Sequence, residues 1–181
     1  SWIDVSLVVE GETLKIIYFL LQTSQVPIQE AAVKCLSEIV LKGMSGGDKI
    51  ALAEYMNLTS VFEAVCQRGR IDSFFGKACC VLNNLGYSLS QQVSLNPNNR
   101  EIHAQVVQYT STVLLPHLIN FLKVLSGQAR QLRIGNDFWE ESLNSLLPFI
   151  GSFFELARGM REELNSEQVS FMGLFFVICL D

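Results

Sequence analysis

Ile28-Gln29-Glu30-Ala31-Ala32-Val33-Lys34-Cys35-Leu36-Ser37-Glu38-Ile39-Val40 is the stretch that decides the fold. Its apolar residues Ile28, Ala31, Ala32, Cys35, Leu36, Ile39 and Val40 recur at helical spacing and form one continuous stripe. Pro27 stands where a first helical turn tolerates a missing N–H, and Gly43 supplies a stop. Gln29, Glu30, Lys34, Ser37, Glu38 and Lys42 make the polar face. Such a helix is stable only with its stripe buried against a partner.

The partner lies just upstream. Leu14, Ile17, Tyr18 and Leu21 form a similar stripe, broadened by Ile16, Phe19 and Leu20. The connection from Gln22 to Val26 is short enough to force an antiparallel hairpin. Downstream the pattern recurs. Ser45 and Asp48 make a capping box before Ile50, Ala53 and Met56, and Asn57 breaks the helix before Val61, Phe62 and Val65. After Gln67-Arg68-Gly69-Arg70 comes a long stripe of Phe75, Ala78, Cys79, Leu82, Leu85, Leu89 and Val93. Asn96-Pro97-Asn98-Asn99 is turn chemistry. A third pair follows, with helices expected from Arg100 to Leu125, kinked at Pro116, and from Asp137 to Arg158, kinked at Pro148. A further helix is expected to begin near Ser166.

No stretch alternates with period two for long enough to make a convincing strand. The expectation is an all-α chain, an α-solenoid of antiparallel helix hairpins of the HEAT-repeat type, about three and a half repeats long. Its hairpins fall near 11–43, 46–94 and 98–160, with a truncated helix at 166–181. Second helices start near residues 28, 72 and 137, intervals compatible with an irregular array whose units run about 40–47 residues or longer with inserted loops.

Composition narrows the function. The 181 residues are 49% hydrophobic and 17% charged, with 12 Phe, which excludes a disordered tail and leaves apolar surface for neighbouring protein. The chain opens at Ser1-Trp2-Ile3 and stops within the apolar run 171–180, so it reads as a piece of something longer. Thirteen basic against 18 acidic residues give a net charge of −5, with both signs spread along the chain. A compact basic nucleic-acid-binding module is thereby disfavoured, although scattered contacts are not. The charge-free stretch Ile102 to Leu122 carries two His, two Gln and an Asn, poor material for a membrane span.

Enzyme chemistry finds little to stand on. The 5 Cys, at 35, 66, 79, 80 and 179, have no C-x-x-C spacing and are expected as small core hydrophobes in a reducing compartment. His103 and His117 read as surface or interface residues, with no clustered carboxylates or thiols to make a metal site. Gly43 to Lys49 lacks the register of a phosphate loop and follows a helix, so it reads as an interhelical turn. The sequon Asn57-Leu58-Thr59 falls in a helical region and is discounted. No catalytic residue, metal or cofactor is expected. What remains is charge: Arg68, Arg70 and Lys77 around one second helix, Arg130 and Arg133 before another, and the pairs Glu140-Glu141 and Glu162-Glu163. The cations either face phosphate or an acidic partner, or are solvated loop and helix-end charges.

Three segments carry a resemblance: Trp2-Ile3-Asp4-Val5-Ser6-Leu7-Val8, then Glu30 to Val40 with Lys42-Gly43-Met44 and Asp48-Lys49, and Val81-Leu82-Asn83-Asn84-Leu85-Gly86-Tyr87-Ser88-Leu89. They resemble the exportin-T family of tRNA exportins, within the importin-β superfamily of karyopherins. The match is specific over the first 50 residues, fair to about residue 95 and architectural beyond. The resemblance implies a HEAT-repeat superhelix that binds tRNA together with Ran-GTP, passes the nuclear pore by contact with its proteins, and shuttles between nucleus and cytoplasm. None of the matching motifs is a binding motif, so no family binding residue carries over; on the tRNA-carrier reading that the resemblance implies, Arg70 and Lys77, then Lys34 and Lys42, are the expected phosphate contacts of the inner surface. The competing reading is a HEAT-repeat scaffold or protein-cargo karyopherin without RNA cargo. The isolated chain is expected to bind tRNA weakly or not at all, given its acidic balance.

Overall fold

In the computed structural model, residues 8, 12–96, 98–132 and 137–158 are described, with the backbone alone at 129–132 and 154–158. The helix expected from residue 166 lies outside them. Among the described residues there are eight α-helices and no strand: α1 (Thr13–Leu21), α2 (Val26–Val40), α3 (Gly46–Tyr55), α4 (Leu58–Gln67), α5 (Ser73–Leu95), α6 (Arg100–Tyr109), α7 (Leu115–Leu132) and α8 (Asp137–Arg158). A π-turn at Thr110–Leu114 joins α6 to α7.

Local chemistry sets these boundaries. Pro27 sits in the first turn of α2. The Ser45 Oγ accepts the Asp48 N–H at 3.2 Å to start α3, and the Asp72 and Asn99 side chains cap α5 and α6 at 3.0 and 3.1 Å. Asn57 takes a left-handed conformation with φ of 46°, which ends α3 and starts α4 at the expected break. Gly69, with φ of 59°, makes the turn after α4. The expected single helix from Arg100 is instead interrupted by the π-turn directly before Pro116. Proline cannot donate to the carbonyl four residues back, and the Leu115 N–H reaches Thr110 O, one residue further than an α-helix allows.

The helices form two layers. α1, the broken pair α3–α4 and the broken pair α6–α7 form the first layer; α2, α5 and α8 lie side by side in the second, with α5 in the middle. Gln29 Nε2 closes the first hairpin by donating to the carbonyls of Leu21 at 3.0 Å and Thr23 at 2.7 Å. Tyr18 Oη donates to the Met56 carbonyl at the Asn57 break, and Trp139 Nε1 donates to the Leu125 carbonyl at 3.0 Å, tying α8 to α7. The core between the layers is aromatic and aliphatic: Phe62, Phe75, Phe121 and Phe149 are fully buried, and the α5 stripe from Phe75 to Val93 is buried throughout.

On α2 the expected stripe is corrected. Ala32, Leu36, Ile39 and Val40 are buried, but Val33 joins them, while Ala31 and Cys35 are exposed and Ile28 only half-buried. α2 packs against α1 and α5, which rotates its buried face towards Val33 and away from Cys35.

Among the described residues, α5 and α8 make the most extensive helix contact. Small residues allow it. Gly76 faces Ser142, the Cys80 thiol lies 3.3 Å from Ser145 Oγ, and a methyl group built on Gly86 would overlap the Phe149 ring. A mid-helix Gly→Ala change ordinarily stabilises by about 1 kcal/mol. At Gly86 the sign reverses: G86A is expected to destabilise by about 1–3 kcal/mol, the cost of overpacking a filled core, read as a lower urea midpoint.

Candidate functional site

The second layer turns one face towards the first layer and the other away from it. Lys34, Ser37 and Leu41 share a stripe on α2; Lys77, Asn84 and Gln91 share one on α5, with Tyr87 beside it; Glu141, Asn144 and Ser145 come from α8. Leu41 is 50% and Tyr87 43% exposed, and Phe138 and Leu147 of α8 are exposed as well, so large apolar groups are interspersed among the amides, hydroxyls and charges.

Parallel helices set the spacing of the cations. Asn84 meets Ser37, and Ser88 shares a partner with Val40, so a residue of α2 stands level with one about 47 positions on in α5. Lys77 and Lys42 are therefore about 18 Å apart along the helix direction, from the rise of 1.5 Å per residue, with Lys34 between them. Lys34 is exposed on α2, and Lys42 is half-buried just beyond its end. Arg70 is exposed in the turn between α4 and α5. Lys77 Nζ stands 3.9 Å from Glu141 Oε1 across the α5–α8 joint, both half-exposed, a loose pair of small energetic value. Arg68 is drawn away from this face: it pairs with Asp72 at 2.9 Å and its guanidinium lies 4.7 Å from the centre of the Phe74 ring. The side chains of Arg130, Arg133, Glu162 and Glu163 lie outside the described residues; Glu140 and Glu141 are exposed on α8. The candidate cations are thus spread along the face, with an acid beside one of them.

Lys49 escaped sequence reasoning. It is buried, and Nζ donates to the Val40 carbonyl at 2.8 Å and to Ser88 Oγ at 2.7 Å. A cation on the last carbonyls of α2 meets the negative end of that helix, while burial lowers the lysine pKa. The turn Gly43 to Lys49 is thus a helix junction whose lysine faces inward. A lysine in an acidic-capped first turn gave no sign of this.

Two grooves open on the first layer. One of about 490 Å³ lies between α3 and α6, with Ile50, Tyr109 and Val113 in its wall and Glu54, Gln105 and Gln108 around it. Burial and the Glu54 carboxylate push the Tyr109 phenol up to about 12. The other, about 320 Å³, lies among α1, α2 and α4, walled by Tyr18, Val61, Ala64 and Phe74. Burial raises Tyr18 to about 12. No group of three or more potential metal ligands is found among the described residues, and no described helix is long and apolar enough to cross a membrane.

The cysteines divide. Cys79 is buried and its thiol is raised well above the usual value by burial; Cys66 is half-buried and pushed up to about 12; Cys35 is exposed. The expectation of core thiols is therefore corrected at Cys35, for the reason given for the α2 stripe.

These features define a class: an all-α solenoid of HEAT-type helix hairpins whose exposed second-layer face mixes polar, charged and apolar side chains. No family model matches the chain, and no solved structure matches it. Among curated proteins it is similar to exportin-T. It is 27% identical over 87% of its length to exportin-T of Yarrowia lipolytica, covering 14% of that protein. It is 28% identical over 84% of its length to exportin-T of Mycosarcoma maydis, and 30% identical over 67% to that of Laccaria bicolor, covering 12% of each. The chain spans about one-seventh or less of the length of these relatives.

Two measurements follow. Under native conditions a thiol-specific alkylating agent is expected to modify Cys35 first among the four described cysteines, with Cys79 protected until unfolding; C35S removes the fast phase. His117 is 8% exposed with its ring 5.5 Å from that of Phe62, and burial lowers its pKa below 6.5 against the opposing pull of Glu63. Its contribution to stability is present above pH 6.5 and is lost as pH falls through the lower folded value, because the unfolded chain takes up the proton first. The urea midpoint is expected to fall with acid over that range more steeply than in H117Q.

Proposed function

We propose that this chain forms part of the wall of a nuclear export receptor that carries tRNA out of the nucleus in a complex with Ran-GTP. Similarity to exportin-T along most of the chain carries this reading. The whole receptor would shuttle between nucleus and cytoplasm, meet nuclear pore proteins on its way, and act as a carrier without catalysis. In a solenoid each repeat touches only its neighbours, so the superhelix opens and closes at modest cost. Cargo and Ran-GTP would share one closed form, each lowering the ordering cost of the other.

Lys34, Lys42 and Lys77 on the second-layer side, with Arg70 at its margin, would meet phosphates spaced along a folded RNA. Such recognition rests on shape and backbone charge and needs no basic cluster. It accords with a chain whose net charge is −5. The loose pair Lys77–Glu141 supports the competing reading, a scaffold or karyopherin for a protein cargo with mixed surface charge.

Fluorescence anisotropy of labelled tRNA, titrated with the full-length protein with and without GTP-locked Ran, separates the two. Binding that tightens strongly with Ran-GTP is expected. If Ran-GTP leaves tRNA affinity unchanged or weakens it, the export reading fails. Each of Lys34, Lys42, Arg70 and Lys77 that touches phosphate should, when changed to Gln, lower the slope of log affinity against log salt by about one. The 181-residue chain alone is expected to bind tRNA more weakly than micromolar at about 0.15 M salt.

A further inference from the structure

One row of hydrogen bonds crosses all three helices of the second layer. Asn84 Nδ2 of α5 donates to Ser37 Oγ of α2 at 2.8 Å. Asn83 Nδ2 donates to Asn84 Oδ1 at 3.4 Å. The Phe149 N–H of α8 donates to Asn83 Oδ1 at 2.9 Å. The last bond is unusual, because its donor is a main-chain amide inside a helix, where the partner is ordinarily the carbonyl four residues back.

Pro148 explains it. Proline lacks an N–H, and its ring crowds the carbonyl four residues before it, so the ladder of α8 is weakened at this point. A polar backbone group freed in a packed joint needs a partner. Asn83 brings an acceptor from the neighbouring helix. Gly86 lies three residues further along α5 on the same side, and its missing side chain is the space into which the Phe149 ring fits. Phe149 is thus held twice by α5, through its amide and through its ring, immediately after the proline.

We propose that Asn83 and Gly86 form a latch on the proline break of α8. The latch makes α5 and α8 one rigid body at the point where α8 would otherwise flex. Asn84 extends the row to α2 through the longer 3.4 Å contact, a weaker tie than the bond to Phe149. The separation of Lys77 from Glu141, and with it the shape of the exposed face, then depends on an asparagine that need touch no partner.

Hydrogen exchange on the full 181-residue chain tests this with N83L, N83D, P148A and N83L/P148A. N83L is expected to speed exchange of the amides of residues 147 and 149–153 about tenfold, the effect of leaving one buried main-chain group without its partner, with α4 changed by less than about twofold. N83D keeps the acceptor oxygen and is expected to stay within about twofold of the parent chain. In the P148A background the helix regains its own ladder, and adding N83L should matter by less than about threefold. The latch is disproved by equal acceleration in both backgrounds, by an N83D chain as fast as N83L, by no acceleration, or by uniform acceleration of every helix.

Discussion

The structure depends on how closely α5 can approach α8. α5 is the middle helix of its layer, packing on α2 at one side, on α8 at the other, and on the first layer beneath. A helix in that position has little room for bulk on its flanks. Its large residues, Phe75, Leu82, Leu85 and Leu89, point into the interlayer core, where each contributes about 1.5–3 kcal/mol of hydrophobic burial. Its flanks carry Gly76, Cys80, Asn83 and Gly86 towards α8, and Asn84 and Ser88 towards α2. Close approach then replaces apolar bulk with dispersion contact and side-chain hydrogen bonds, each worth about 1 kcal/mol net.

The first layer is built differently. Its two longer members are both broken, one by Asn57 in a left-handed conformation and the other by the π-turn ahead of Pro116. The freed Met56 carbonyl takes the Tyr18 hydroxyl. Below this break Phe62, Phe75, Phe121 and His117 pack ring against ring, with centroid separations of 5.1 to 5.9 Å. The second-layer helices run unbroken, with Pro27 in the first turn of α2 and Pro148 inside α8. That asymmetry places the candidate contact residues. The cations are carried by the layer whose geometry is held by the α5 flanks, so the spacing between Lys34 and Lys77 is a property of packing between helices.

Much of the fold was legible in residues 26–95. The stripe on α5, the Ser45 cap, the Asn57 break and Pro27 in the first turn of α2 all report local rules, because period, capping and backbone restriction act within a few residues. The α2 stripe was legible as a helix but not in its orientation: Ile28, Ala31 and Cys35 fit the period as well as Val33 does, and only the positions of α1 and α5 choose between them. The π-turn was hidden because Thr110 to Leu114 is compatible with ordinary helix, and only the downstream proline hints at a fault.

The site was less legible than the fold. Arg68 and Lys77 looked like equivalent cations in sequence, yet one is drawn to Asp72 and Phe74 and the other stands beside Glu141, partners contributed by the turn and by a helix far along the chain. Lys49 read as a turn residue and is buried on the end of α2. The sequence by itself determined the all-helical class, the helix starts at Ser45 and Asp137, the break at Asn57, and the resemblance to exportin-T, since these rest on short-range pattern. Tertiary structure alone decided which side of α2 is inside, which lysine is buried, and that Asn83 serves an amide of another helix. Those outcomes depend on contacts between residues tens of positions apart, and no local period encodes them.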